Sequence, residues 1–170
     1  SGKTSVCITT KHQHIVTASR SDFQCALGAL LAAHIGKVAR RPALAQQLRA
    51  KGQDAHAVCC NLADSAAVSA MCRDMLSLYH RVDALVLCAG VSHTGLLTDM
   101  TDAQWHRVMD VNVSGSFYLI RALAPGMVSQ RDGAIVTISS MWGRSGASCE
   151  AAYSASKAAL DKVTIDLGMK

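Results

Sequence analysis

The chain has 170 residues, half of them hydrophobic, which suffices for one buried core and reads as a single domain over residues 1–170. It has no uncharged apolar run near 18 residues and opens on no charged-then-apolar leader, so a cytoplasmic protein without membrane contact is expected. Seven cysteines form no Cys-x-x-Cys pair and seven histidines are scattered, so reduced thiols are expected and no metal site.

The net charge of +5 is unevenly spread: residues 1–51 hold eight Lys/Arg against the single acid Asp22, and the remainder is slightly acidic. A basic amino-terminal third suits an anionic ligand, but Phe23 is its sole aromatic, so nucleic acid lacks a stacking surface and a phosphorylated small molecule is favoured. Gly2-Lys3-Thr4 lacks the strand and first glycine of a phosphate-binding P-loop and reads as a lead-in. Apolar runs predict strands at 5–9, 34–39, 55–60, 83–88 and 134–139. Between them lie helical patterns: Phe23, Ala26, Leu27, Leu30 and Leu31, then Val68, Met71, Cys72, Met75 and Leu78 after a cap at Asp64. Thr101 with Gln104 reads as a capping box for the helix carrying Trp105, Val108, Met109 and Asn112. This alternation predicts an α/β fold, a doubly wound parallel sheet covered on both faces. Its ligand crevice lies beyond the carboxyl ends of the strands, which puts Asn61, Gly90 and Ser140 on one rim.

The chemistry centres on Ser140, at the end of the last strand, and on Tyr153 and Lys157 in Tyr153-Ser-Ala-Ser-Lys157. Tyr and Lys four apart share one helical face, so the ammonium stabilises a phenolate and makes the phenol a usable acid near neutral pH. Alone the pair is a weak signal, since amphipathic helices often carry a packed ring beside a solvated amine.

Together with Asp83-Ala-Leu-Val-Leu-Cys-Ala-Gly90 and Trp105-His-Arg-Val-Met-Asp-Val-Asn112, these segments resemble the short-chain dehydrogenase/reductase family, with its Rossmann-like sheet. The resemblance implies that Tyr153 protonates a carbonyl oxygen while hydride arrives from a nicotinamide. It further implies that Lys157 supports the phenol and the cofactor ribose, that Ser140 bonds the substrate oxygen, and that Asn112 supports a proton-relaying water. Asn61, Leu62, Ala89 and Gly90 would line the cofactor site with Tyr153 and Lys157. Arg40 and Arg41 either pair with a 2′-phosphate, favouring NADP(H) over NAD(H), or are simply solvated. The stretch Ser139 to Glu150, with Trp142, is similar to bacterial members described as 3-oxoacyl-carrier-protein reductase or as the 5-aminopentanone reductase acting on elongation factor P. The substrate is then a small-molecule, carrier-attached or protein-attached carbonyl. Glu150 either meets a substrate amine or favours a helix dipole. A homodimer or homotetramer paired through the helices of Asn112 and Tyr153 is implied by resemblance.

Two departures stand out. Residues 10–20 contain no glycine where the family carries Thr-Gly-x-x-x-Gly-x-Gly, and side chains there hinder close approach to a diphosphate. Lys11, His12, His14 and Arg20 bind phosphate instead, or the cofactor is lost and the protein is a non-catalytic scaffold, or the segment comes from a disturbed reading frame. The family usually continues past the catalytic helix, so a fold truncated there is expected.

Overall fold

The computed structural model describes residues 4–9, 14–19, 41–52 and 54–168, with side-chain surroundings from Ala45 to Thr164. Strands β1 (Thr4–Thr9), β2 (His14–Ser19), β3 (His56–Cys59), β4 (Ala84–Leu87) and β5 (Ala134–Thr137) form one sheet ordered β3-β2-β1-β4-β5. β1, β4 and β5 run parallel, with Cys7 opposite Val86 and Val86 opposite Val136. The helices are α1 (Arg41–Ala50), α2 (Ser65–Tyr79), α3 (Asp102–Met109), α4 (Gly115–Gln130) and α5 (Ala151–Gly168). The α/β expectation holds, and four of the five expected strands appear within two residues of their predicted ends.

β2 is a further strand, outside the five expected. A parallel crossover needs a dozen or more residues, whereas only residues 10–13 separate β1 from β2. The chain therefore returns antiparallel, with Thr9 opposite His14, and β2 is also antiparallel to β3. The sheet is thus mixed at this edge rather than parallel throughout. Ile15, Val16 and Thr17 supply the β-branching that suits a strand, although the sequence pattern places none here. The strand expected at 34–39 and the helix of Phe23 to Leu31 lie outside the described residues, as do Lys11, His12, Arg20 and Arg40.

The core lies where α2 and α4 cover one sheet face. Val68, Met71, Cys72 and Met75 of α2 meet Leu119, Ile120, Leu123 and Met127 of α4 over Leu85 and Leu87 of β4. Burying each large aliphatic side chain contributes about 1.5–3 kcal/mol, so this cluster dominates the stability of the described residues. Strand alternation turns Val86 and Val136 to the opposite face, where Val136 is 38% exposed. The Asp64 carboxylate caps α2 by accepting from the Ala66 and Ala67 N–H groups at 2.8 and 3.1 Å. The capping box of α3 forms as expected: Thr101 Oγ1 accepts from Gln104 N, and Thr101 N donates to Gln104 Oε1 at 2.8 Å.

Between α3 and α4 the helix widens into a π turn, Asp110–Ser114, with Gly115 N–H reaching back to Asp110 O. Such a bulge disturbs the regular hydrogen-bond ladder and often marks a functional position. Asn112 sits inside it, fully buried, and its carbonyl accepts from Ser116 Oγ at 2.8 Å.

Candidate active site

Three chain segments converge beyond the carboxyl ends of β4 and β5: the loop after β4, the loop after β5, and one turn of α5. Lys157 of α5 is 3% exposed, and its ammonium donates to Ile138 O at 2.8 Å. The same nitrogen lies 5.6 Å from the centre of the Tyr153 ring. Burial pushes the Lys157 pKa down, against the opposing pull of Cys88 and Asp161. Cα of Gly90 faces this group so closely that a Cβ there would stand 3.3 Å from Nζ and 3.6 Å from Asn112 Oδ1. Gly143 is pressed even harder, since its Cβ would fall 3.0 Å from the Lys157 carbonyl carbon and 3.1 Å from Ala158 N. Two positions without side chains therefore let both loops close on the turn Tyr153–Lys157.

Ser140 follows β5 and is partly exposed; its Oγ accepts from Trp142 N at 3.3 Å, which leaves the hydroxyl proton to bond elsewhere. Trp142, half-buried, opens a single helical turn ending at Ser145. Tyr153 is also partly exposed, while the neighbouring Ser139 hydroxyl donates to Lys157 O at 3.4 Å. Ser140, Tyr153 and Lys157 are thus held on one rim by contacts between residues 138–143 and one turn of α5. Asn112 reaches that rim from the π turn. Its Oδ1 accepts from Val91 N at 2.7 Å, and its Nδ2 donates to Val91 O and to Ser156 Oγ, both at 2.9 Å.

Other candidates spread more widely. Asn61 is exposed after β3 and accepts from Ala63 N at 3.2 Å, Leu62 is buried, and Ala89 is buried beside Gly90. Arg41 begins α1, but its side chain, like all of Arg40, lies outside the described residues. Glu150 stands at the amino end of α5, its carbonyl accepting from Ser154 N and its Oε1 from Thr94 Oγ1 at 3.4 Å. That position suits an acid favoured by the helix dipole. Gly95 N donates to Cys149 O at 2.8 Å, and Ala147 N to Ser154 Oγ at 2.9 Å, so the loops flanking Glu150 are anchored. A cavity of about 400 Å³ between β3 and α2 is lined by His56, Val58, Met71, Met75 and Tyr79 and reaches Asn61 after β3. Among the described residues no group of three His, Cys, Asp or Glu side chains could hold a metal, and no helix is long and apolar enough to cross a membrane.

Sequence reasoning missed Ser156, Val91 and Gly143. Only Ser156 carried a signal, since it stands three residues after Tyr153 and returns to the same helical face.

The sequence profile described as short chain dehydrogenase matches residues 18–170. The chain belongs to this family. The family match leaves the first 17 residues outside it, which is where β1 turns back into most of the unexpected strand β2. The chain is 35% identical over 131 residues to a 3-oxoacyl-[acyl-carrier-protein] reductase FabG of Staphylococcus aureus, covering 77% of this chain and 53% of the relative. A shorter match, 45% over 83 residues, is to the uncharacterized oxidoreductase YmfI of Bacillus subtilis, covering 49% of this chain and 34% of that protein. Among solved structures it is similar to a metagenomic short-chain oxidoreductase in complex with NADP, with a TM-score of 0.72 and 34% identity over 74% of this chain and 57% of that one. NAD+-bound xylitol dehydrogenase is also similar, with a TM-score of 0.63 and 27% identity over 66% of this chain and 44% of that chain. The chain spans about half the length of the curated reductases it matches.

At the nicotinamide end the short-chain dehydrogenase residues present fit a dinucleotide. Gly90 leaves open the space a side chain would fill beside Lys157, whose ammonium donates to Ile138 O. At the carboxyl end of β1 the fit is poorer: among the described residues the next element is the strand β2, not a helix whose amino terminus could meet phosphate.

Proposed function

We propose that the protein is an NAD(P)H-dependent carbonyl reductase in which Tyr153 is the acid. The observation that carries this reading is the buried Lys157 ammonium, bound to Ile138 O and 5.6 Å from the Tyr153 ring beside a glycine wall. The residues around Lys157 would hold a nicotinamide cofactor, which when bound would supply hydride to a carbonyl carbon. Tyr153 donates its phenolic proton to the carbonyl oxygen, and the Lys157 charge stabilises the phenolate left behind. The Ser140 hydroxyl bonds the same oxygen, and Asn112 holds the loop after β4 in place. Leu62, Ala89 and Gly90 form the apolar wall of the cofactor site, and Asn61 stands at its exposed edge.

NADP(H) is favoured over NAD(H) by Arg41 at the start of α1 and by the NADP complex of a similar oxidoreductase. The substrate is a ketone: a 3-oxoacyl thioester, as the name of the FabG relative indicates, or an aminopentanone-modified protein. A cytoplasmic location and a homodimer or homotetramer belong to the same proposal. Phe117 and Val128 on α4, 50% and 75% exposed, provide apolar surface for such pairing.

A second reading, a cofactor-deficient scaffold, draws on the antiparallel β1–β2 pairing at the diphosphate end. A fluorescence titration with NADPH separates the two. Saturation below about millimolar supports the reductase, and a flat signal at millimolar NADPH supports the scaffold.

A further inference from the structure

Ser156 is wholly buried one residue before Lys157, and the reading above gives it no part. Its hydroxyl has one proton, which goes to Tyr153 O at 2.7 Å. The 2.9 Å contact with Asn112 is therefore donated by Nδ2. The other Nδ2 proton goes to Val91 O, and Oδ1 takes the Val91 N–H, so the amide has one possible orientation and both its protons are spent. Asn112 is equally buried, and it belongs to a different helix, 44 residues away. Val91 continues directly from Gly90, whose Cα faces Lys157 Nζ. The bonds Val91–Asn112–Ser156–Tyr153 thus link the loop after β4, the π turn and the helical turn that carries the proposed acid.

We propose that Ser156 is a positioning residue: its hydroxyl holds the Asn112 amide against the turn Tyr153–Lys157 and so sets the spacing between the Lys157 ammonium and the Gly90–Val91 loop. The role of that spacing in turnover rests on the reductase reading of Tyr153 and Lys157. Removing the hydroxyl leaves an amide proton buried without a partner, which is relieved only when Asn112 turns away or water enters. Either relief moves Val91 and Gly90 and wets Lys157. The groups facing that ammonium are the Tyr153 ring and Asp161 from its own helix, Cys88 from the end of β4, and the Ile138 carbonyl after β5. Burial depresses the Lys157 pKa, so wetting raises it.

The test follows the Lys157 ammonium by NMR titration in the full chain, alongside the pH profile of kcat for NADPH oxidation with acetoacetyl thioester. Ser156→Ala should lower kcat about tenfold and move the Lys157 titration upward. Asn112→Ala should produce the same displacement, and the double variant no more than either alone. Ser156→Thr, which keeps the hydroxyl, should recover most of kcat. Ser156→Cys, which keeps the volume but bonds weakly, should shift the titration in the same direction even where the alanine variant folds poorly. Ser154→Ala removes another buried hydroxyl of α5 and should leave the Lys157 titration in place. Additive effects in the double variant, or a folded Ser156→Ala or Ser156→Cys protein with an unmoved titration, overturn the proposal. Absence of turnover in the parent chain counts against the reductase reading, while the titration still decides the role of Ser156.

Discussion

Lys157 couples protonation to folding. Below its depressed pKa the folded chain buries a charge that the unfolded chain leaves in water. Between that pKa and the ordinary 10.5 the unfolded chain binds more protons, so stability rises with pH across the interval. Lys157→Met, similar in length and uncharged, should melt higher than the parent at pH 7, with the difference shrinking as pH approaches 10; thermal melts across that range check it. A constant difference would remove burial as the cause. Tyr153 and Lys157 were legible in the sequence because their interaction is local, four residues on one helical face. Ser156 was legible only as a member of that face, because its partner Asn112 is 44 residues distant and nothing short-range announces the contact.

At the level of elements, the loop after β5 depends on an absent side chain. Gly143→Ala would push a methyl against the Lys157 backbone at 3.0 Å, where neither atom belongs to a flexible side chain. We expect a loss of about 1–3 kcal/mol, read in urea unfolding, with kcat/KM lowered about tenfold because the turn Tyr153–Lys157 moves. A variant as stable and active as the parent would show that the loop does not press on α5. Asp64→Ala removes both cap bonds of α2 and should cost about 1 kcal/mol without altering NADPH affinity. The caps at Asp64 and Thr101 could be read in advance because capping is a short-range rule. The direction of β2 could not be read from its composition, since Ile15 to Thr17 suit either orientation, and only the shortness of the 10–13 connection decides it.

For the molecule as a whole, the two ends of the proposed cofactor would meet unequal surroundings. Lys157 and Asn112 are buried beside Gly90, whereas the carboxyl end of β1 leads into an antiparallel strand pair. We therefore expect NADPH to bind about tenfold or more weakly than to a reductase with a glycine turn, measured by fluorescence titration of both. Equal affinity would mean that Lys11, His12, His14 or Arg20 replaces the backbone contacts. The sequence made the family membership and the α/β class legible because strand ends and helix faces obey short-range patterns. The mixed sheet escaped because it departs from the family in a segment the family match does not reach.

The central claim is that Tyr153 delivers the proton in a hydride-driven ketone reduction. It is tested most directly by following NADPH absorbance with acetoacetyl thioester for the parent chain and for Tyr153→Phe. We expect measurable consumption by the parent and a loss of at least about a thousandfold in the variant, with both proteins folded. Equal rates for the two would contradict it.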